Sequence, residues 1–198
     1  MIQNVTVSTH EAPSMGEPAL QLVSSVRSFQ RKDLLPLEPD SVWSIEQGIV
    51  RTLTWDEEGR TIGLGFWGQG DVLGLPLSPI SPYQAECVTL VKVMKLSLEC
   101  QHLQEGLIRR ARKSEELLTI VHQPSVVVRL LQLLEWLMTH FGQPVPGGRS
   151  LDVLLTHQEL AETISTTRVT VTRLLSQLEQ EGKIERSQRK LTLLAPNS

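Results

Sequence analysis

Cysteine is nearly absent from this 198-residue chain and aromatic side chains are few, with two Cys, one Tyr, three Phe and four Trp. Two thiols, Cys87 and Cys100, cannot build a disulfide framework, and neither sits in a Cys-x-x-Cys pair. Histidine is missing from residues 20–98 altogether. An enzyme built on a metal-holding barrel would need imidazoles there, so no metal, no cofactor and no enzymatic activity are expected. The histidines elsewhere, His10, His102, His122, His140 and His157, show no ligand spacing with either cysteine. No apolar run approaches the roughly 18 residues of a membrane span. The start, "MIQNVTVSTHEAPSMGEPALQ", has no basic stretch followed by an apolar core, so a cytoplasmic location is the expectation.

An excess of charge is missing too: 19 Lys and Arg stand against 22 Asp and Glu, a formal charge of −3. The chain as a whole is no polycation, and any nucleic-acid site must come from local placement. Residues 1–98 carry 7 basic and 11 acidic side chains, 99–148 carry 5 and 5, and 149–198 carry 7 and 6. The balance therefore shifts from acidic to slightly basic toward the C-terminus.

What is present divides the chain by pattern. Residues 1–29 read as an N-terminal arm, since the first 19 mix Ser, Thr, Pro, Gly and Glu without apolar periodicity. From Ser41 onward, short apolar runs are broken by Gly and Asp. "SVWSIEQGIVRTLTW", "TIGLGFWGQGDVLGL" and "AECVTLVKVMKLS" predict antiparallel strands closing into a sandwich or barrel over 30–98. Trp43, Trp55, Phe66 and Trp67 are expected in its core rather than round a ligand. Around Leu98 the pattern changes, and "LECQHLQEGLIRRARKSEELLTIVHQ" predicts one long helix over 99–123. Leu107, Ala111, Ser114, Leu118 and Val121 form a seam on it at coiled-coil spacing, suited to pairing with a second copy. Packing on its own domain is the alternative.

Residues 124–198 form a further module. Ser125 is placed to cap "SVVVRLLQLLEWLMTHFG", whose Val127, Leu130, Leu131, Leu134, Leu137 and Phe141 share a broad face. "GQPVPGGRS" reads as a loop. Next comes "LTHQELAETISTTRVTVTRLLSQLEQEGKIERSQRKLTLLAP". Thr156 with Glu159 makes a capping box, so a short helix begins at His157, with Leu160, Ala161 and Ile164 as its apolar face. Ser165 or Thr166 is placed to cap a second helix.

That second segment, "TTRVTVTRLL", alternates like a half-buried strand. On a helical wheel at roughly 100° per residue, however, Val171, Leu174, Leu175 and Leu178 fall in one arc of about 100°. Arg168, Val169, Thr172, Arg173 and Ser176 fall in another. A strand would split Leu174 from Leu175, so the helix is the better reading. Two short helices joined by a tight turn, the second with a basic outer face, make a helix-turn-helix suited to the DNA major groove. Arginine matches guanine O6 and N7, threonine hydroxyls reach phosphates, and a valine methyl fits the thymine methyl. Thr170 lies at the edge of the buried arc, where packing explains it as well as DNA contact does. After Gly182, "KIERSQRKLTLL" reads as a hairpin with Arg186, Ser187, Gln188, Arg189 and Lys190 near its tip, a basic wing for the phosphate backbone. The DNA-binding candidates are His157, Gln158, Thr166, Thr167, Arg168, Val169, Thr170, Thr172, Arg173, Arg186, Gln188, Arg189 and Lys190.

The segment "LTHQELAETISTTRVTVTRLLSQLEQEGKI" resembles the DNA-binding module of the CRP/FNR family of transcription regulators, and its core is most similar to the NtcA-like branch. The resemblance is strong over 150–194 and looser over 41–149. It implies an α+β architecture: a cyclic-nucleotide-binding-like jelly-roll β-barrel, a long dimerisation helix and a C-terminal winged helix-turn-helix. It also implies a homodimer on a palindromic double-stranded DNA site of GTA/TAC type, base reading by Arg168, Val169 and Arg173, and a partner such as RNA polymerase or another regulator. The family's cyclic-nucleotide sites use a Gly-Glu pair and an Arg-Ser or Arg-Thr pair. Here Gly74-Leu75 and Gln84-Ala85 stand near those places, and residues for a small phosphate-binding helix are missing. With no arginine to offset a phosphate, no cyclic nucleotide is expected and the small-molecule effector stays unassigned. The family's redox members hold an iron-sulfur cluster through four cysteines, which two cannot supply. The competing function is a sensing module for a small acid or a partner protein, with DNA binding secondary.

Overall fold

The computed structural model describes residues 26–100, 103–153, 155–187 and 190–195. Its N-terminal half is a jelly-roll-like sandwich of two antiparallel sheets. One contains β1 (Arg27–Phe29), β2 (Ser41–Gln47), β5 (Val72–Leu73) and β7 (Val91–Ser97), in the order β1-β7-β2-β5. The other contains β3 (Val50–Trp55), β4 (Thr61–Trp67) and β6 (Gln84–Cys87), in the order β4-β3-β6. Trp43, Ile45, Val50, Trp67, Leu73, Val91 and Val93 fill the space between them. Both buried indoles find acceptors, Trp43 Nε1 at Pro36 O (2.7 Å) and Trp67 Nε1 at Thr52 Oγ1 (2.9 Å).

Three expectations are adjusted in this half. Residues 1–25 of the arm lie outside the described residues, but Arg27 to Phe29 pair with β7 and so belong to the sandwich. Trp55 ends β3 37% exposed rather than in the core. Phe66 is fully buried, but it faces the helices while its neighbour Trp67 faces the sandwich interior, as strand alternation requires. Where a phosphate-binding helix would lie there is a single 3-10 turn, Leu75–Leu77.

Helix α1 (Leu103–Val121) is shorter than the expected span, since Glu99 and Cys100 sit in the turn before it. It is two-sided. Leu103, Gly106, Lys113, Leu117 and Ile120 are buried, while Leu107, Ala111, Ser114 and Leu118 are exposed and Val121 is half-buried. Polar contacts fasten it to the β4–β5 turn. Arg109 donates to Gly70 O through Nε and Nη2 (3.0 and 2.7 Å), and the Arg110 guanidinium lies over the Trp67 ring. Lys113 Nζ meets the fully buried carboxylate of Asp71 and also lies over Phe141.

Helix α2 (Val126–Phe141) has Ser125 at its N-cap position by backbone geometry but with no side-chain cap bond. Its buried set is broader than one face, adding Leu133, Trp136 and Met138 to Leu130, Leu134 and Leu137, because it is covered from several sides. Glu116 of α1 ties the two helices, accepting from Trp136 Nε1 at 2.6 Å and meeting His140 Nε2 at 2.7 Å. Burial would raise the Glu116 pKa, but these two partners hold it below the usual carboxylate range.

Where a loop is expected over 142–150 there is a hairpin of β8 (Gln143–Val145) and β9 (Gly148–Leu151), turned at Gly147. Pro144 is tolerated because β8 is an edge strand. Then come α3 (His157–Thr163), α4 (Arg168–Gln180), β10 (Ile184–Arg186) and β11 (Leu191–Leu194), with the sheet ordered β10-β11-β9-β8. One apolar cluster runs through α1, α2, α3, α4 and β10, and it includes Ile49, Phe66 and Val88 of the sandwich. The C-terminal half is thus packed onto the sandwich. Among the described residues, no helix is long and apolar enough to cross a membrane.

Candidate nucleic-acid interface

Local chemistry sets both helices of the motif. Thr156 accepts from Glu159 N at 3.1 Å and the Glu159 carboxylate accepts from Thr156 N at 2.7 Å, completing the capping box that starts α3 at His157. Helix α4 is capped by Thr167, not by Ser165 or Thr166. Thr167 has extended backbone angles and its Oγ1 accepts from Thr170 N at 3.1 Å. Ser165 adopts a left-handed φ of 53° in the turn between the helices, so the cap moves past it. At the far end, Gly182 takes φ +67° and Lys183 N reaches back to Leu178 O at 2.9 Å, a left-handed stop that suits glycine.

The outcome is a helix with two faces. Val171, Leu174, Leu175 and Leu178 are buried. Arg168, Val169, Thr172 and Arg173 are exposed, with Val169 at 78% the most open large apolar side chain among the described residues. Thr170 is half-buried and its hydroxyl lies 2.9 Å from Thr167 Oγ1, so it serves the cap. Thr172 Oγ1 donates to Arg168 O (2.9 Å) and lies 2.7 Å from Nδ1 of His157, which bridges α3 to α4. Burial first, then the Arg186 and Arg168 charges, push the His157 pKa below its ordinary value, leaving the ring neutral at neutral pH. Gln158 is exposed and donates to Glu162 Oε1 at 2.9 Å. Thr166 is half-buried beside the turn.

The wing differs in one respect from the expectation of free basic groups. Arg186 is half-buried and donates to Glu179 on α4, through Nε at 3.1 Å and also through Nη2. It fastens the β10–β11 hairpin to α4 and pulls the Glu179 pKa down. Lys190 is exposed at the tip, where Ser187 N donates to Lys190 O at 2.8 Å. Gln188 and Arg189 lie outside the described residues. Elsewhere, burial and the nearby Asp33 and Glu86 charges push the Cys87 thiol up to about 12, so it is held protonated. Among the described residues, no group of His, Cys, Asp and Glu is placed to hold a metal ion, and His10 and His102 lie outside them.

A family model described as the Crp-like helix-turn-helix domain matches residues 128–198. The chain is 41% identical over 171 residues to the regulatory protein CysR of Synechococcus elongatus, covering 85% of this chain and 83% of that protein. It is 30% identical over 192 residues to the global nitrogen regulator of Synechocystis sp., covering 86% and 85%. Among solved structures, a CRP-family transcriptional regulator from Thermus thermophilus shares the fold with a TM-score of 0.73 at 24% identity, over 85% of this chain and 92% of that one. FixK2 from Bradyrhizobium japonicum does so with a TM-score of 0.71 at 21% identity, over 87% and 93%.

Proposed function

Because the chain belongs to the CRP/FNR family of transcription regulators, in its NtcA-like branch, we propose that it binds a palindromic operator as a homodimer and reads bases with Arg168, Val169 and Arg173. The observation that carries this reading is the polarity of α4. Its leucine face is fully buried, while two arginines, a threonine and an open valine share the outer face. Arg168 and Arg173 are suited to guanine edges, Val169 to a thymine methyl, and Thr167, Thr172, Gln158 and Lys190 to phosphates. A half-site of GTA/TAC type fits these pairings. The exposed Leu107, Ala111, Ser114 and Leu118 stripe on α1 supports self-association, with half-sites about one helical turn, roughly 10 base pairs, apart.

The sensor in this account takes no cyclic nucleotide. Trp43, Trp67 and Leu73 fill the sandwich interior, and the Gly74-Leu75 turn offers no charged side chain to a phosphate. The sandwich instead acts on DNA binding through the helices packed against it, with RNA polymerase or another regulator as the protein partner at the operator. A sensing module with secondary DNA binding is the rival. Selection of bound duplexes from random DNA tests the choice: enrichment of a palindrome by the purified chain is expected, and enrichment of none contradicts the reading.

A further inference from the structure

The helix-turn-helix is held by more than its apolar contacts, because α3 sits against the β4-β3-β6 sheet through a cluster of charges. Lys32 Nζ lies 2.6 Å from Glu159 Oε1 and 2.8 Å from Glu86 Oε1. Arg51 Nη1 lies 2.6 Å from Glu162 Oε2, and its Nη2 lies 3.1 Å from Glu86 Oε2. Two cations of the sensor therefore grip two carboxylates of α3, with the sensor's own Glu86 between them. Side-chain exposure is 1% for Glu159, 9% for Glu162 and 10% for Arg51, while Lys32 closes the rim at 48%. Burial works against the charged forms, but the hydrogen bonds and neighbouring charges prevail: Lys32 is held above its ordinary pKa and Glu86 below.

Two further features show that this contact is tight and directional. A Cβ on Gly63 of β4 would fall 2.7 Å from Thr163 Oγ1 and 3.0 Å from Thr163 Cα, so glycine lets the strand and α3 approach closely. Each α3 carboxylate also faces two ways. Glu159 uses Oε1 for Lys32 and Oε2 for the capping bond to Thr156. Glu162 uses Oε2 for Arg51 and Oε1 for Gln158. A partly buried ionic network of this kind adds little net stability after desolvation, but it is demanding about geometry.

We propose that Lys32 and Arg51 are positioning residues for DNA reading. By holding Glu159 and Glu162 they fix the setting of the helix-turn-helix against the sensor and α1. In a dimer they thereby fix the separation of the two recognition helices. The inference rests on the dimeric operator reading above, and it assigns the cluster to half-site spacing rather than to base identity.

The test uses the full chain on duplexes that keep the selected half-sites but lengthen or shorten the spacer by single base pairs. Wild type discriminates sharply between spacers. The double variant Lys32→Ala with Glu162→Gln loses about tenfold in affinity on the preferred spacer and under about twofold on the others, which flattens the profile. Its base preference within a half-site stays the same. Lys32→Arg keeps the wild-type profile, and Gly63→Ala, which displaces α3 without touching a charge, flattens it. An unchanged spacer profile in the double variant overturns the proposal. So does an equal loss on every spacer together with a lowered melting temperature, as a merely structural contact would give. If wild type selects half-sites but no fixed spacing, this proposal fails while base reading by α4 stands. If it selects no sequence at all, the operator reading itself fails.

Discussion

His157 at the start of α3 and Thr172 in the middle of α4 meet at 2.7 Å, so the two helices of the motif are joined on the exposed side of α4. The imidazole is kept neutral there by burial and by the flanking Arg186 and Arg168 charges. A histidine whose folded pKa lies below the ordinary 6.5 binds fewer protons folded than unfolded in the interval between the two values. Its contribution to stability is therefore complete above pH 6.5 and lost as the pH falls through the folded pKa. Urea midpoints measured from pH 7.5 downward should decline more steeply for wild type than for His157→Gln over that interval. Parallel curves would contradict the assignment.

The buried Lys113 and Asp71 pair makes a second prediction. Lys113→Met leaves the fully buried Asp71 carboxylate without its cation and should cost about 3 kcal/mol in chemical denaturation. Adding Asp71→Leu should recover most of that loss, because the desolvation penalty disappears with the charge. A double variant as unstable as the single one would show that the pair is not the source of the loss.

The two faces of helix α1, one exposed and one buried, make separate predictions under the proposed dimer. Leu118, 57% exposed, should tolerate change to Asp without loss of the monomer fold, while the chain shifts from dimer to monomer in sedimentation equilibrium. Leu117, 5% exposed on the buried face, should lose about 2 to 4 kcal/mol on truncation to Ala while still self-associating. A dimer unaffected by Leu118→Asp would remove α1 from the interface.

The turn of the motif carries backbone strain at Ser165, φ 53°. Ser165→Gly should be neutral or stabilising by up to about 1 kcal/mol, and Ser165→Val should destabilise by about 1 to 2 kcal/mol, both read from thermal melts. The reverse order would mean that the turn relaxes in solution.

Helices α4 and α3 are legible in sequence, α4 because its 3.6-residue periodicity outweighs the superficial alternation of its threonines and valines, and α3 because a capping box depends on residues three apart. The cap itself was misplaced, since nothing in "ISTT" announces that Ser165 turns left-handed and delays the start to Thr167. The β8–β9 hairpin was hidden by its prolines and glycines, which serve loops and short edge strands alike. Arg186 read as a free basic group because its partner Glu179 lies on another element. The Lys32 and Arg51 contacts to α3 had no sequence signal at all, with separations of 127 and 111 residues between partners. Local chemistry is written in adjacent residues; the seating of α3 on the sandwich is written only in the packing.

In the proposed binding mode α4 reads sequence through Arg168. The most direct measurement is the affinity of Arg168→Ala for the selected operator beside that for a scrambled duplex of equal length, at one fixed salt concentration. A loss of about 10- to 100-fold on the operator is expected with little change on the scrambled duplex, so that selectivity collapses. Operator preference that survives intact in Arg168→Ala would contradict it.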